Sequence, residues 1–174
     1  MLSSLVDVVG SAYANSIICY YYFMNGPTAD KISVSEQDMF DTLFAAYMAV
    51  AEPTLQKDKY LVPVGMRLSK NGEPSLVGLM PEGDVDSDPA VHLRVYRKLL
   101  NQTSAGDVAC LLAYDVRLKE NAEYEDAINI ELEAKSGARA QLVIPYKFSG
   151  WRKKLQLGPV ARIQPGAARI YLAS

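Results

Sequence analysis

The chain has one histidine, His92, and two cysteines, Cys19 and Cys110, in 174 residues. One imidazole excludes a histidine-rich metal centre, and two thiols cannot build a disulfide framework. Both cysteines lie in apolar runs and are expected as reduced core residues, as in a cytosolic chain. The sequence contains no C-x-x-C, no Walker A pattern, no G-x-G-x-x-G and no G-x-S-x-G. The common zinc, phosphate-loop, dinucleotide and serine-nucleophile signatures are therefore missing. Acids are missing too from one whole region, because Asp and Glu stop at Glu133.

That last absence divides the chain. The first 133 residues carry twenty acids against ten bases, and Ala134 to Ser174 carries eight bases and no acid. A division of this kind marks an anion-binding face, a self-complementary oligomer, or two halves of one fold meeting across a sheet. The net charge of -2 argues against a dedicated nucleic-acid binder. A hydrophobic fraction of 49% with 22% charged residues fits a single globular domain over 1–174 with a sizeable core.

The opening segment, Met1 to Met24, is apolar, but Asp7, Ser11, Asn15 and Ser16 interrupt it and no Lys or Arg precedes Lys31. It is read as a core helix from about Ser4 to Met24, not as a targeting signal or a membrane span. Its tyrosines Tyr13, Tyr20, Tyr21 and Tyr22, with Tyr47, suggest core and an oligomer interface. A second helix is expected from Ser35, with Phe40, Leu43, Phe44, Tyr47, Val50 and Ala51 on its apolar face and Pro53 at its end.

The pattern then changes to period two. Tyr60, Val62, Val64, Met66 and Leu68 alternate along a strand that Pro63 marks as an edge or bulged one. Asn71-Gly72 makes a hairpin turn into Ser75 to Met80. Asp88-Pro89 opens a third helix, whose Val91, Leu93, Val95, Tyr96, Leu99 and Leu100 face inward while Arg94, Arg97 and Lys98 stay wet. A central strand over Val108 to Lys119 follows, then a hairpin of Ala127 to Ala134 and Ala138 to Tyr146 turning at Ser136-Gly137. Its Asn129, Glu131 and Glu133 are expected on a wet face, opposite Arg139 and Gln141. Short strands near Leu155 to Leu157 and Val160 to Ile163 come next. A type II turn at Gln164 to Ala167 and a returning strand over Arg169 to Leu172 complete the chain. The fold class is α+β: a two-layer, mainly antiparallel sheet of about five or six strands, packed on two N-terminal helices and one inserted helix.

Candidate chemistry is sparse. The carboxylates Asp115, Glu123, Glu125, Asp126, Glu131 and Glu133 crowd one region, but no histidine lies near them in sequence and they read as loop and hairpin decoration. Asp115 differs, since it ends a buried strand and can line a cleft. His92 reads as a helix-face residue. Trp151 sits among Lys147, Arg152, Lys153 and Lys154, with Tyr146 and Phe148 close by, a pattern that can stack bases or bind anions. The plainer alternative is a solvated loop anchored to the core by one aromatic ring.

The run from Gly106-Asp107-Val108 through Tyr114-Asp115-Val116-Arg117, Asp126-Ala127-Ile128-Asn129-Ile130-Glu131-Leu132-Glu133 and Pro145-Tyr146 resembles a group of small uncharacterised bacterial proteins. In that group a strand ending in D-V-R precedes a D-A-I-x-I/V-x-L-E hairpin and a closing P-Y. The resemblance implies a bacterial, cytoplasmic chain and brings no catalytic residues with it. The expected function is a non-catalytic interaction or accessory module that forms a homodimer and needs no cofactor, metal or membrane. The alternative is binding or hydrolysis of an anionic small molecule, with Asp115, Arg117, Trp151, Arg152 and Lys154 as ligand-binding candidates. Nucleic acid is the weakest partner class considered.

Overall fold

The computed structural model describes residues 34–78, 89–102, 106–119, 123–167 and 169–171. The expected first helix, Cys19, and Tyr13 with Tyr20 to Tyr22 lie outside the described residues. In chain order the elements are α1 (Val34–Asp58), β1 (Val64–Ser69), β2 (Pro74–Val77), α2 (Pro89–Gln102), β3 (Asp107–Arg117), β4 (Asp126–Ala134), β5 (Arg139–Ser149), β6 (Lys154–Leu157) and β7 (Ala161–Ile163). The seven strands form one sheet in the order β2-β1-β3-β4-β5-β6, with β7 also on β5, and every pairing is antiparallel. The fold is α+β, as the patterns require.

Helix α1 runs past Pro53, which was expected to end it. Proline removes one helical N–H and frees the carbonyl four residues earlier, here that of Ala49. Ala49 and Pro53 are both exposed, so water can satisfy that carbonyl. Leu55, fully buried two residues on, holds the helix against the core. The helix stops at Lys59, whose positive φ of 68° makes the left-handed cap and whose N–H donates to the Leu55 carbonyl at 3.0 Å. Phe40, Leu43, Phe44, Tyr47, Met48, Ala51 and Leu55 form the buried stripe, with Met48 taking the place expected for the exposed Val50.

Strand β3 is central, as its doubly apolar start predicts, and β4 lies beside it with Leu111 opposite Leu132 and Ala113 opposite Ile130. Period-two alternation sends Met66, Leu68, Leu111, Ile128, Ile130, Leu132, Leu142 and Ile144 into one cluster with the α1 stripe. Strand β1 is shorter than expected, begins after Pro63, and is internal; β2 takes the outer position. Its irregularity lies at Leu68/Ser69, away from the proline. The turns at Gly72 and Gly137 have φ of 79° and 96°, which glycine adopts without steric cost.

The layering differs from the two-layer expectation. Tyr96 and Leu100 of α2 pack with Cys110, Leu112 and Ile170, the residues that point away from α1. Helices therefore cover both faces of the sheet. Gly65 permits this approach, since a Cβ there would come within 3.1 Å of the Tyr96 ring. Residues 169–171 form no strand. Instead the Ile170 and Tyr171 amides donate to the Glu133 carboxylate at 2.9 and 3.3 Å.

Candidate functional site

The sheet face toward α2 was expected to be wet, yet it holds a layer of polar groups, most of them hydrogen-bonded to one another. Glu131 is gripped by both ends of one guanidinium, with Arg97 Nη2 at 2.6 Å from Oε1 and Nε at 3.3 Å from Oε2. Tyr114 donates its hydroxyl to the same carboxylate at 2.7 Å. Burial first, then the Glu131 hydrogen bond and charge, push the Tyr114 hydroxyl up to about 12. Arg97 is thus not a solvated residue of α2. Its side chain is 19% exposed, because the helix rests on this face and carries the guanidinium inward. The Glu133–Arg139 pairing foreseen across the hairpin forms, at 3.5 Å. Asn129 accepts from Gln141 Nε2 at 2.8 Å through its Oδ1. Its Nδ2, His92 Nε2 and Tyr47 Oη are buried without a hydrogen-bond partner. Cys110 forms no disulfide and is fully buried; its thiol donates to the Glu133 carbonyl at 3.6 Å, and burial above all pushes it up.

The five residues singled out from sequence fall into two groups. Asp115 and Arg117 lie near the end of β3. Asp115 accepts the Tyr146 hydroxyl, with both carboxylate oxygens at 2.9 Å, and Arg117 faces Asp126 at 3.8 Å with its side chain 82% exposed. Trp151, Arg152 and Lys154 belong to the β5–β6 hairpin. No described hydrogen bond, ion pair or ring contact joins the groups.

Asp115 is an exposed residue of β3 whose carboxyl is held above the ordinary carboxylate range, first by loss of hydration beside Tyr146 and then by the charge of Asp126, against the Tyr146 hydrogen bond and the Val116 amide. An acid whose folded pKa is raised contributes most to stability when protonated, below its unfolded value. That contribution disappears as pH rises through the folded pKa. Asp115→Asn retains an acceptor for Tyr146 and removes the charge. It is expected to raise the melting temperature at neutral pH and leave it unchanged in acid below the carboxylate range. Thermal denaturation at both pH values checks this; a neutral-pH melting point at or below that of the parent chain contradicts it.

The hairpin is built differently. Phe148 pairs with Leu155 and Ser149 with Lys154, leaving Gly150 to Lys153 as the loop. Gly150 and Lys153 both take positive φ, 71° and 46°, and the Lys153 amide closes the loop onto the Gly150 carbonyl at 3.0 Å. The last turn of α1 clamps its base. Gln56 accepts the Leu155 amide at 2.7 Å and donates to the Lys153 carbonyl at 3.3 Å. Lys59 Nζ donates to the same carbonyl at 3.1 Å and lies 4.6 Å from the Phe148 ring centre. The aromatic anchor is therefore Phe148. Trp151 is 87% exposed, covered only on one side by Arg152 at 4.6 Å from its ring, and residues 151–154 are all exposed. Gln56 and Lys59 escaped sequence reasoning because their partners lie more than ninety positions away, at separations of 99 and 94.

At the opposite end of the sheet, Ser35, Glu36, Lys70, Asp107, Lys135 and Ser136 line a cleft of about 390 Å³ that contains none of the five predicted residues. Among the described residues no group of three His, Cys, Asp or Glu side chains could hold a metal ion. No described helix is long and apolar enough to cross a membrane. No protein-family model, curated protein or solved structure matches this chain. Fold and surface define its class: an α+β protein with a clamped, basic hairpin carrying an exposed tryptophan.

Proposed function

We propose that the protein is a non-catalytic interaction module that recognises an anionic partner through the β5–β6 hairpin and self-associates. One observation carries the reading: Trp151 stands 87% exposed at the tip of a hairpin whose base is tied to α1. A large aromatic ring held in water by a rigid support contributes little to folding, and it is pre-ordered for a contact. Arg152, Lys153 and Lys154 add positive charge around it, and none of the three forms an ion pair among the described residues. The carboxylates offer no such surplus, because Asp115, Glu131 and Glu133 are engaged by Tyr146, Arg97 and Arg139. That supports binding over hydrolysis.

Self-association draws support from β2, whose outer edge pairs with no strand among the described residues and whose Leu76 is exposed. The bacterial, cytoplasmic setting implied by the D-V-R to P-Y resemblance belongs to the same reading, which requires no cofactor.

Retention on an immobilised sulfated polysaccharide tests the anionic partner. The parent chain is expected to be retained at low salt, and replacing Arg152, Lys153 and Lys154 together by alanine is expected to abolish retention without changing the fold. Equal elution of the two proteins removes the reading. Light scattering at high micromolar concentration tests self-association, where a strict monomer removes that part alone.

A further inference from the structure

We infer, resting on the proposed anionic partner, that this partner is the surface of a lipid bilayer with anionic headgroups, entered by the tip of the β5–β6 hairpin. Tryptophan, flat and amphipathic, prefers the boundary between headgroups and acyl chains, and basic side chains beside it reach the phosphates. The hairpin presents that combination. Trp151 leads at the tip, with Arg152, Lys153 and Lys154 exposed behind it. Two further exposed apolar side chains, Tyr60 at 61% and Val62 at 58%, lie in the segment after Lys59, whose ammonium is bonded to the Lys153 carbonyl. A bilayer accepts an aromatic–aliphatic mixture of this kind. A single nucleic-acid strand does not favour it, since base stacking uses successive aromatic faces. Here Val62 offers no face, Trp151 is the only tryptophan in the chain, and Arg152 already lies over its ring. Surface attachment needs no membrane-spanning segment, so the span-based exclusion of a membrane does not bear on it.

The lone tryptophan provides the readout. Vesicles of phosphatidylcholine mixed with phosphatidylserine are expected to shift its emission to the blue and to sediment with the protein. Pure phosphatidylcholine is expected to do neither. Binding falls as salt rises, and each of Arg152→Ala, Lys153→Ala and Lys154→Ala weakens it about five-fold, the value of one cation at an anionic leaflet. Trp151→Ala, followed by sedimentation and with its fold checked by circular dichroism, loses most of the bound fraction. No shift and no sedimentation with the anionic vesicles overturns the inference, as does equal binding to both vesicle types. A blue shift with a single-stranded oligonucleotide and none with vesicles also overturns it, in favour of nucleic acid. If vesicles fail while polysaccharide retention persists, the lipid inference falls and the interaction module stands; if both fail, both fall.

Discussion

Glu133→Ala is expected to lower folding stability by about 3–5 kcal/mol, the range for removing one partner of a buried charged network. Glu133 is 3% exposed on β4, facing α2. Its carboxylate accepts two successive main-chain amides, Ile170 at 2.9 Å and Tyr171 at 3.3 Å, and faces Arg139 Nε at 3.5 Å. Alanine leaves both amides without their acceptor, and unsatisfied buried donors cost about 1–3 kcal/mol each. Arg139 keeps a contact to the Gly166 carbonyl at 2.8 Å, but loses the charge that offsets its own. Glu133→Gln preserves size and one acceptor oxygen while turning an NH2 group toward donors, so it is expected to fall between the two. Urea denaturation gives the magnitudes; a loss below about 1 kcal/mol, typical of a surface substitution, contradicts the prediction.

The same substitution has a local readout. Ile170 packs over Cys110 with Tyr96, Leu100 and Leu112, and only the Glu133 carboxylate accepts the Ile170 amide. Released, residues 169–171 uncover a thiol that is fully buried in the parent fold. In a Cys19→Ser background, Cys110 is expected to react slowly with a thiol reagent when Glu133 is present and markedly faster in Glu133→Ala. Equal rates would show that the segment stays in place without its carboxylate.

Leu111→Ala is expected to cost a comparable amount, about 2–5 kcal/mol. Leu111 is fully buried at the centre of the sheet, opposite Met66 on β1 and Leu132 on β4, and faces the α1 stripe. Its removal forfeits transfer energy and leaves a cavity that neighbouring strands, hydrogen-bonded on both sides, cannot collapse to fill. Leu76→Ala on the outer strand is the matched control. Leu76 is 56% exposed, so its truncation is expected to change stability by no more than about 0.5 kcal/mol. Chemical denaturation of the pair separates burial from side-chain identity; similar losses would refute the placement of the core.

Local pattern carried much of the architecture. Period-two alternation over residues 127–134 and 138–146, the Asn71-Gly72 and Ser136-Gly137 turns, and the doubly apolar start of β3 were all readable, because strand periodicity and turn chemistry are properties of adjacent residues, although β5 runs on to Ser149. The spacing of Phe40, Leu43, Phe44 and Tyr47 likewise specified one face of a helix. Pro53 misled because its cost depends on which side of the helix the freed carbonyl faces, and that follows from packing. Of the candidate site, the Trp151 cluster was legible as composition, but its exposure was not, since the sequence does not say which aromatic ring of the cluster anchors the loop.

The amino-acid order by itself determined the α+β class, the antiparallel hairpins, the Phe40 to Tyr47 part of the buried stripe of α1 and the basic character of the C-terminal region, all consequences of short-range spacing and charge. Tertiary structure alone decided that α2 covers the second face, that Arg97 and Glu133 work inside the fold, and that Gln56 and Lys59 brace the hairpin. Those outcomes depend on contacts between residues tens of positions apart, where the competition between hydration and pairing is settled by which element lies above each side chain.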